Sequence, residues 1–266
     1  NGQRIIRAGT DVKSVQMING VFVVGASGYG LSVISFIEDN AYLKTGTHYT
    51  WADPTIAHRN INTVFIPTAG GLGIVNSVCN DVAMTVLPNA PIDADTGLPV
   101  PTIAVATNGG VSVIKDNGTV VDITGYSGGG AFHITFDEYN HIYTEGQYRC
   151  WVSIFDIPNS DVNMGSRLMM LKAVTGDYPA FLGGPSNSGD ALKAVSKNVN
   201  KGTAVATSSG VSVLELNDLS DVVSDSSDSG AVAYITSDYN TGWMHGDIKL
   251  ATLSDTDTTN ANPSEL

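Results

Sequence analysis

The chain has 266 residues and a formal net charge of −13, and charged residues make up only 15% of it, against about 25% in an average globular domain. Glycine contributes 29 residues, which favours short strands and tight turns over long surface helices, because such helices are rich in Glu, Lys and Arg. The 13 Lys and Arg residues form no cluster, which argues against binding to nucleic acid or to an anionic membrane surface, and no apolar run reaches the roughly 18 residues of a membrane-spanning helix.

The N-terminal part of the chain predicts three strands and one long loop. A short strand at residues 3–7 has no repeat unit of its own, and the apolar runs at residues 21–24 and 64–66 have the composition of strands buried on both faces. The loop between these runs carries His48, Tyr49 and Trp51. Aromatic rings present flat apolar faces that suit sugars, so we predict a contribution to ligand binding, with simple filling of the loop as the alternative.

Strands of four to seven residues succeed one another through the middle of the chain. They are rich in Val, Ile, Thr and aromatic residues, end at Gly, Asn or Asp, and are predicted at residues 103–107, 111–114, 119–124, 132–136, 142–145 and 150–155. The dipeptide Asn117-Gly118 is typical of a hairpin turn, so the strands form antiparallel hairpins. Connections between them carry Tyr126 and Tyr148, which join the candidate ligand-binding residues.

The same pattern returns 100 residues later in the chain. Without gaps, residues 104–146 match residues 204–246 at 15 of 43 positions, including all of 104–107 and 110–113. This segment holds several strands, so the repeating unit is shorter. The second strand of each unit is predicted to begin near Val21, Thr63, Ile103, Ile142, Thr203 and Gly242.

Most of these starting points are separated by about 40 residues, which is the period of four-stranded propeller blades. The sequence therefore predicts an all-β fold, a β-propeller of about six four-stranded blades over residues 1–254, with five or seven blades as alternatives. The strand at residues 3–7 is expected to complete the last blade and close the ring, which removes an unpaired strand edge. Residues 255–266, rich in Asp and Thr, are predicted to be a linker or tail.

Two acidic residues and two cysteines raise the question of metal and redox chemistry. Asp93 and Asp95 alternate with small residues before Gly97, a spacing that suits the oxygen ligands of Ca²⁺ around a tight turn. The complete calcium-loop pattern is missing, so capping of the turn is the alternative. Cys79 and Cys150 lie in apolar, strand-like runs, where buried free thiols are expected, although pairing between them stays open.

The sequence contains no recognisable catalytic pattern. None of the five histidines lies in a His-Glu-x-x-His pattern or near the cysteines at zinc-like spacing, and no Gly-x-Ser-x-Gly motif is present. The glycine runs at residues 70–73 and 128–130 precede strands and lack the Lys of a phosphate loop. We therefore expect a protein that binds and does not catalyse, with no cofactor other than Ca²⁺.

Two segments resemble bacteriophage virion proteins. Residues 103–114 (IAVATNGGVSVI) and 237–249 (SDYNTGWMHGDIK) are similar to stretches of tail-fibre and other virion proteins of phages, particularly marine ones. In those proteins a propeller-like repeat region precedes a lectin-like or carbohydrate-binding module, and residues 254–259 resemble the junction. The resemblance implies a virion-surface or extracellular location and supplies no catalytic residues.

Three functions are hypotheses at this point. The first is a non-enzymatic tail or fibre component that assembles with other virion proteins, forms a homo-oligomer and contributes to attachment to a host-surface glycan. The second is a secreted propeller hydrolase or lyase acting on polysaccharide. The third is a carbohydrate-binding module without a structural duty.

Overall fold

The computed structural model describes residues 11–38, 40–51, 65–125, 130–145, 151–172, 194–197, 203–207, 210–216 and 230–235. These residues form four sheets and one short 3-10 turn, so the predicted all-β class is confirmed. The predicted closing strand at residues 3–7, the predicted strand that begins near Gly242 and the tail at residues 255–266 lie outside the described residues. Within the described residues no sheet closes on itself, and no helix has the length and hydropathy of a membrane span.

The first sheet has six antiparallel strands, each paired with the next one in the chain. These strands are β1 (Val12–Ile18), β2 (Val21–Ala26), β3 (Gly30–Ser35), β4 (Asn40–Lys44), β5 (Thr47–Trp51) and β6 (Phe65–Leu72). Strands β1 and β2 are joined by Asn19 and Gly20, both with positive φ, which is the backbone that a two-residue hairpin turn requires.

The separate unit predicted around Thr63 is not present as a sheet of its own. Strand β6 pairs with β5, with Phe65 opposite Trp51, and so extends the first sheet. The predicted loop at residues 48–51 is also wrong, because these residues form β5. A two-residue turn at Thr45 and Gly46 folds β5 directly back onto β4, and Thr, Tyr and Trp suit a strand in that position.

The other three sheets follow in chain order. The second contains β7 (Cys79–Thr85), β8 (Thr102–Thr107), β9 (Gly110–Ile114) and β10 (Val120–Thr124). The third contains β11 (Ile134–Phe136), β12 (Ile142–Glu145), β13 (Trp151–Phe155) and β15 (Met169–Lys172), and the short β14 (Val162–Asn163) pairs in parallel with β10 of the second sheet. The fourth contains β16 (Ala194–Lys197), β17 (Thr203–Thr207), β18 (Gly210–Leu216) and β19 (Gly230–Ile235).

The first hairpin of the 100-residue repeat has the same geometry in both copies, but the copies then differ, because residues 130–136 lead into β11 of the third sheet whereas residues 230–235 form β19, which pairs with β18 in the fourth. In the hairpin of β8 and β9, Ala104 pairs with Val113 and Thr107 pairs with Gly110. In the hairpin of β17 and β18, the residues 100 positions later pair in the same register. The identical residues therefore encode one hairpin shape, as the sequence predicted.

Strand β8 shows that the second sheet is buried on both faces. Ile103 and Val105 pack in an apolar cluster with residues of the first sheet, whereas Ala104 and Ala106 pack in another cluster with residues of the third. Full burial of a Val or Ile side chain contributes about 1.5–3 kcal/mol, so both faces stabilise the fold. The interpretation of continuous apolar runs as strands buried on both faces is confirmed here, but it is wrong for the run at residues 64–66, because β6 is an edge strand of the first sheet and Ile66 is 54% exposed.

The four sheets also meet through their first strands. Strand β1 contacts β7, β7 contacts β11, and β11 contacts β16. Each of these is the first strand of its sheet in the chain. Equivalent strands therefore follow one another along one side of the assembly of sheets.

Candidate functional site

The alternating strand directions place the turns at two opposite ends of the sheets. We call the end formed by residues 19–20, 36–38, 86–101, 115–119, 137–141 and 156–160 the acidic end. We call the end formed by residues 27–29, 45–46, 73–78, 108–109 and 130–133 the neutral end. The neutral-end turns contain no Asp, Glu, Lys or Arg, whereas the acidic end carries one lysine, Lys115, and the acidic residues Glu38, Asp93, Asp95, Asp116, Asp137, Glu138 and Asp156.

The loop that holds Asp93 and Asp95 lies at the acidic end. From the sequence, we predict that this loop connects two repeat units and therefore lies on the same side of the propeller as the turns between second and third strands. That placement is wrong, because residues 86–101 join β7 to β8 within the second sheet. The error arose because β7 is the first strand of its sheet, so the loop after it emerges at the opposite end.

Asp93 caps its own turn. Its Oδ1 accepts hydrogen bonds from the main-chain N of Asp95 at 3.0 Å and of Thr96 at 2.7 Å, and its main-chain O accepts from Gly97 N at 2.9 Å. The bond from Thr96 is the main cause that lowers the pKa of Asp93. The capping alternative therefore describes Asp93 in this structure. The described residues contain no group of three or more His, Cys, Asp or Glu side chains placed to hold a metal ion, and Ca²⁺ at Asp93 and Asp95 stays a prediction.

Glu38 of the first sheet reaches the same loop. Its carboxyl group forms a side-chain hydrogen bond with Asp93, and its pKa is raised first by burial and then by the neighbouring Asp93 and Asp95. Nearby, Asn19 donates from Nδ2 to the main-chain O of Pro99 at 2.7 Å. These two contacts join the ends of the first and second sheets into one surface.

Asp137 organises the turn between β11 and β12. This residue is 3% exposed, and its Oδ1 accepts from the main-chain N of Tyr139 at 2.9 Å and of His141 at 2.8 Å. Its Oδ2 lies 2.8 Å from Nδ1 of His141. One buried carboxylate thus fixes both the turn and the orientation of an imidazole ring.

The other nitrogen of that ring faces a second carboxylate. His141 Nε2 lies 3.6 Å from Oδ1 of Asp156, a largely exposed residue just after β13. The hydrogen bond to Asp137 is the main cause that raises the pKa of His141, and Asp156 and Glu138 add to it. Burial raises the pKa of Tyr143, which also forms a side-chain hydrogen bond with Asp137. This arrangement can hold a proton on the ring or, with a neutral ring, present Nε2 as a base.

A second unusual group lies on the outer strands of the first sheet. Lys44 is only 2% exposed, donates from Nζ to the main-chain O of Leu72 at 2.9 Å and lies 3.4 Å from Nδ1 of His48. Burial lowers the pKa of Lys44 to about 8, and burial together with Lys44 lowers the pKa of His48. A side-chain carbon at Gly71 would lie 2.8 Å from Cβ of His48, so a glycine is needed where β6 bulges over this ring.

The predicted aromatic residues have different environments on β5. Trp51 is buried and packs edge-on against Phe65, with ring centroids 5.3 Å apart. Tyr49 is partly buried against the same cluster, and the ring of His48 lies 5.4 Å from that of Tyr42. Trp51 therefore belongs to the core of the first sheet, and the ligand-binding role of all three stays a prediction. Tyr126 and Tyr148, the other predicted ligand residues, lie outside the described residues.

Cys79 is buried as a free thiol, and burial raises its pKa to about 12. This agrees with the expected buried thiol at that position, while Cys150 lies outside the described residues.

Sequence reasoning did not single out Glu38, Lys44, Asp137 or His141. The sequence does contain a signal for Asp137. An Asp side chain can accept a hydrogen bond from the main chain two residues later, here at Tyr139, and the following Asn140 is a common turn residue, so an Asx turn is suited to this position. Lys44 is the single charged residue of the short strand β4, which is a weaker signal. The partners of Glu38 and Lys44 and the second partner of His141, Asp156, lie on other strands or sheets, and the sequence alone does not reveal them.

No family model matches the sequence, and no curated protein matches it. Among solved structures, the extracellular domain of a hybrid two component system from B. thetaiotaomicron is 12% identical with a TM-score of 0.41, over 90% of this chain and 30% of that one. The RRP9 WD40 repeats are 9% identical with a TM-score of 0.38, over 80% and 79% of the two chains. The WD40 beta propeller domain of Doa1 is 16% identical with a TM-score of 0.39, over 77% and 63%. At these scores no property of those proteins transfers to this chain.

Proposed function

We propose that the chain is a β-propeller that works as a non-enzymatic binding scaffold. The observation that carries the proposal is the succession of contacts between β1, β7, β11 and β16, the first strands of four consecutive sheets. In a propeller the first strands of the blades surround a central axis, and each blade buries both faces against its neighbours. Burial of both faces of β8 supports the same arrangement.

The proposed ring has about six blades, or five if the first sheet, which includes β6, is a single blade, and it is closed by the strand at residues 3–7. Closure would remove the free edge of the last sheet and so protect it from aggregation. Val15 and Met17 of β1 are exposed apolar residues, which supports the idea that a further blade packs beside this strand.

The proposed biological role is that of a virion or extracellular appendage component. In this role the scaffold assembles with other virion proteins, as a homo-oligomer, and contributes to attachment to a host-surface glycan. The carboxyl groups of Asp93 and Asp137 both accept hydrogen bonds from main-chain N–H groups and so cap turns. This structural role supports a scaffold over an enzyme. Ca²⁺ at Asp93 and Asp95 is part of the proposal.

Electron microscopy of the purified chain and of its native particle tests this proposal. We expect a ring with a central opening in the isolated chain and the same ring on the surface of a particle. A stacked two-layer sandwich would contradict the propeller. Deletion of residues 1–9 should lower the midpoint of thermal unfolding, and an unchanged midpoint would count against the closing strand. Glycan-array binding by the isolated chain tests the attachment role.

The geometry of His141 favours a hydrolase or lyase acting on polysaccharide as the second candidate function. A histidine oriented by a buried carboxylate, with its other nitrogen near the surface, is an arrangement that general-base catalysis uses. Release of reducing or unsaturated sugar ends from a polysaccharide panel, lost in His141→Gln and retained in Asn117→Ala, would favour this function over the scaffold.

A further inference from the structure

The acidic end combines negative charge with exposed apolar side chains. The largest apolar residues exposed there are Phe36, Ile37, Ile92, Leu98 and Tyr139. Ile92 is 63% exposed and Ile37 is 52% exposed, so both present most of their surface to solvent. Scattered apolar residues on a surface are ordinary, but several on one face of a protein, interspersed with charges, mark interaction surfaces.

These residues belong to one connected surface that spans three sheets. Glu38 hydrogen bonds to Asp93, and Asn19 hydrogen bonds to Pro99, which joins the first sheet to the loop of the second. Thr85, at the end of β7, donates from Oγ1 to Oδ1 of Asn140 at 2.6 Å, which joins the second sheet to the turn of the third. The apolar and acidic residues are therefore held by a packed framework.

The electrostatics of this surface call for positive charge from a partner. The described residues of the acidic end include one lysine against seven acidic residues, and the whole chain carries a net charge of −13. Burial and then the neighbouring Asp93 and Asp95 raise the pKa of Glu38, so acidic groups of two sheets lie close together here. A partner with Lys or Arg side chains would neutralise these groups, because complementary potentials favour association.

We infer that the acidic end is a docking surface for a protein partner whose own surface combines Lys or Arg with apolar side chains. This inference rests on the proposed role as a binding scaffold and specifies which end binds and what it binds. The apolar residues supply the energy of contact, and the carboxylates supply orientation and attraction at a distance. The neutral end, without charged side chains in its described turns, would not bind such a partner.

The test uses a fluorescent helical peptide with one lysine-rich face and one leucine-rich face, titrated with the full chain at low salt. We expect saturable binding that weakens as salt is raised. The variants Ile92→Ser and Ile37→Ser remove exposed apolar side chains and should each weaken binding by about tenfold. Glu38→Lys should weaken it to a similar extent.

Tyr29→Ser is the matched control, because Tyr29 is 42% exposed at the neutral end. It should change the affinity by less than about twofold. Unchanged thermal unfolding of the variants shows that each is folded.

Equal binding by a peptide with serine in place of leucine would overturn the inference, because charge alone would then suffice. An equal loss in Tyr29→Ser, or binding of Ca²⁺ alone at this end without peptide binding, would also overturn it. Because the ring seen by microscopy does not depend on the peptide, failure here is distinguishable from failure of the scaffold proposal.

Discussion

Replacement of Asp137 tests how much one buried carboxylate contributes to the third sheet. Its Oδ1 accepts two main-chain N–H groups, from Tyr139 and His141, at 2.9 and 2.8 Å. In Asp137→Ala both donors lose their partner in a site that is almost inaccessible to water, and a buried unpaired donor costs about 1–3 kcal/mol. Entry of water into the vacated space offsets part of this, so we expect the free energy of unfolding to fall by about 2–4 kcal/mol.

The control is an equivalent turn in full contact with solvent. Asn117 Oδ1 accepts from the main-chain N of Thr119 at 3.0 Å, and both residues are exposed. Water can replace the lost acceptor, so Asn117→Ala should cost less than about 1 kcal/mol. Urea unfolding at neutral pH, followed by circular dichroism, measures both changes. A loss in Asp137→Ala no larger than that in Asn117→Ala would refute the reasoning that burial determines the cost.

Four further predictions concern single side chains. The pKa of His141 is raised in the folded state, so the protonated ring stabilises the protein below pH 6.5, and this stabilisation is lost as the pH rises through the folded pKa. Urea titrations should therefore show that His141→Gln destabilises the protein more at pH 6 than at pH 9. The pKa of His48 is lowered, so the wild type should lose stability as the pH falls from 6.5 towards the folded pKa, and unfolding of His48→Gln should depend less on pH in that range. In a variant that lacks the second cysteine, Cys79, with a pKa of about 12, should resist iodoacetamide at pH 8 in the native protein and react after unfolding. If mass spectrometry shows that the native protein is modified at the rate of a free thiol, the burial of Cys79 is contradicted. The Thr144 hydroxyl is buried without a hydrogen-bond partner in the described residues, so Thr144→Val should stabilise the protein by about 1 kcal/mol. The Thr107 hydroxyl, in contrast, donates to Gly110 O at 2.8 Å, so Thr107→Val should destabilise the protein. Equal thermal shifts of the two variants would be inconsistent with this contrast.

Local patterns in the sequence predicted the strands and hairpins well. The hairpin of β8 and β9 lies where two continuous apolar runs are separated by a turn that ends at Gly110, and its copy in β17 and β18 has the same register. Turn residues such as Asn117 and Gly118 act within a few positions of the chain, so their effect can be read without knowledge of the rest. Burial on both faces was predictable for β8 from its unbroken run of apolar residues, but the same reasoning failed for β6, which lies at the edge of its sheet and exposes Ile66.

Assignment of strands to sheets was less predictable. A spacing of about 40 residues predicted a separate unit near Thr63, but β6 joined the first sheet instead. The period of a sequence shows how often strands recur, but it does not show to which sheet, or to which edge of that sheet, each strand is added. That choice depends on the turn at Thr45 and Gly46, which returns β5 to β4.

The sequence by itself determined the strand-rich class, the repeated hairpin and the excess of acidic residues, because these follow from composition and from neighbours in the chain. Only the tertiary structure decided that Trp51 is buried against Phe65, that Glu38 meets Asp93 and that His141 lies between Asp137 and Asp156. Most of these contacts join residues on different strands or sheets. They form only when the sheets pack and their turns converge at one end, and that convergence concentrates the acidic and apolar residues on a single surface.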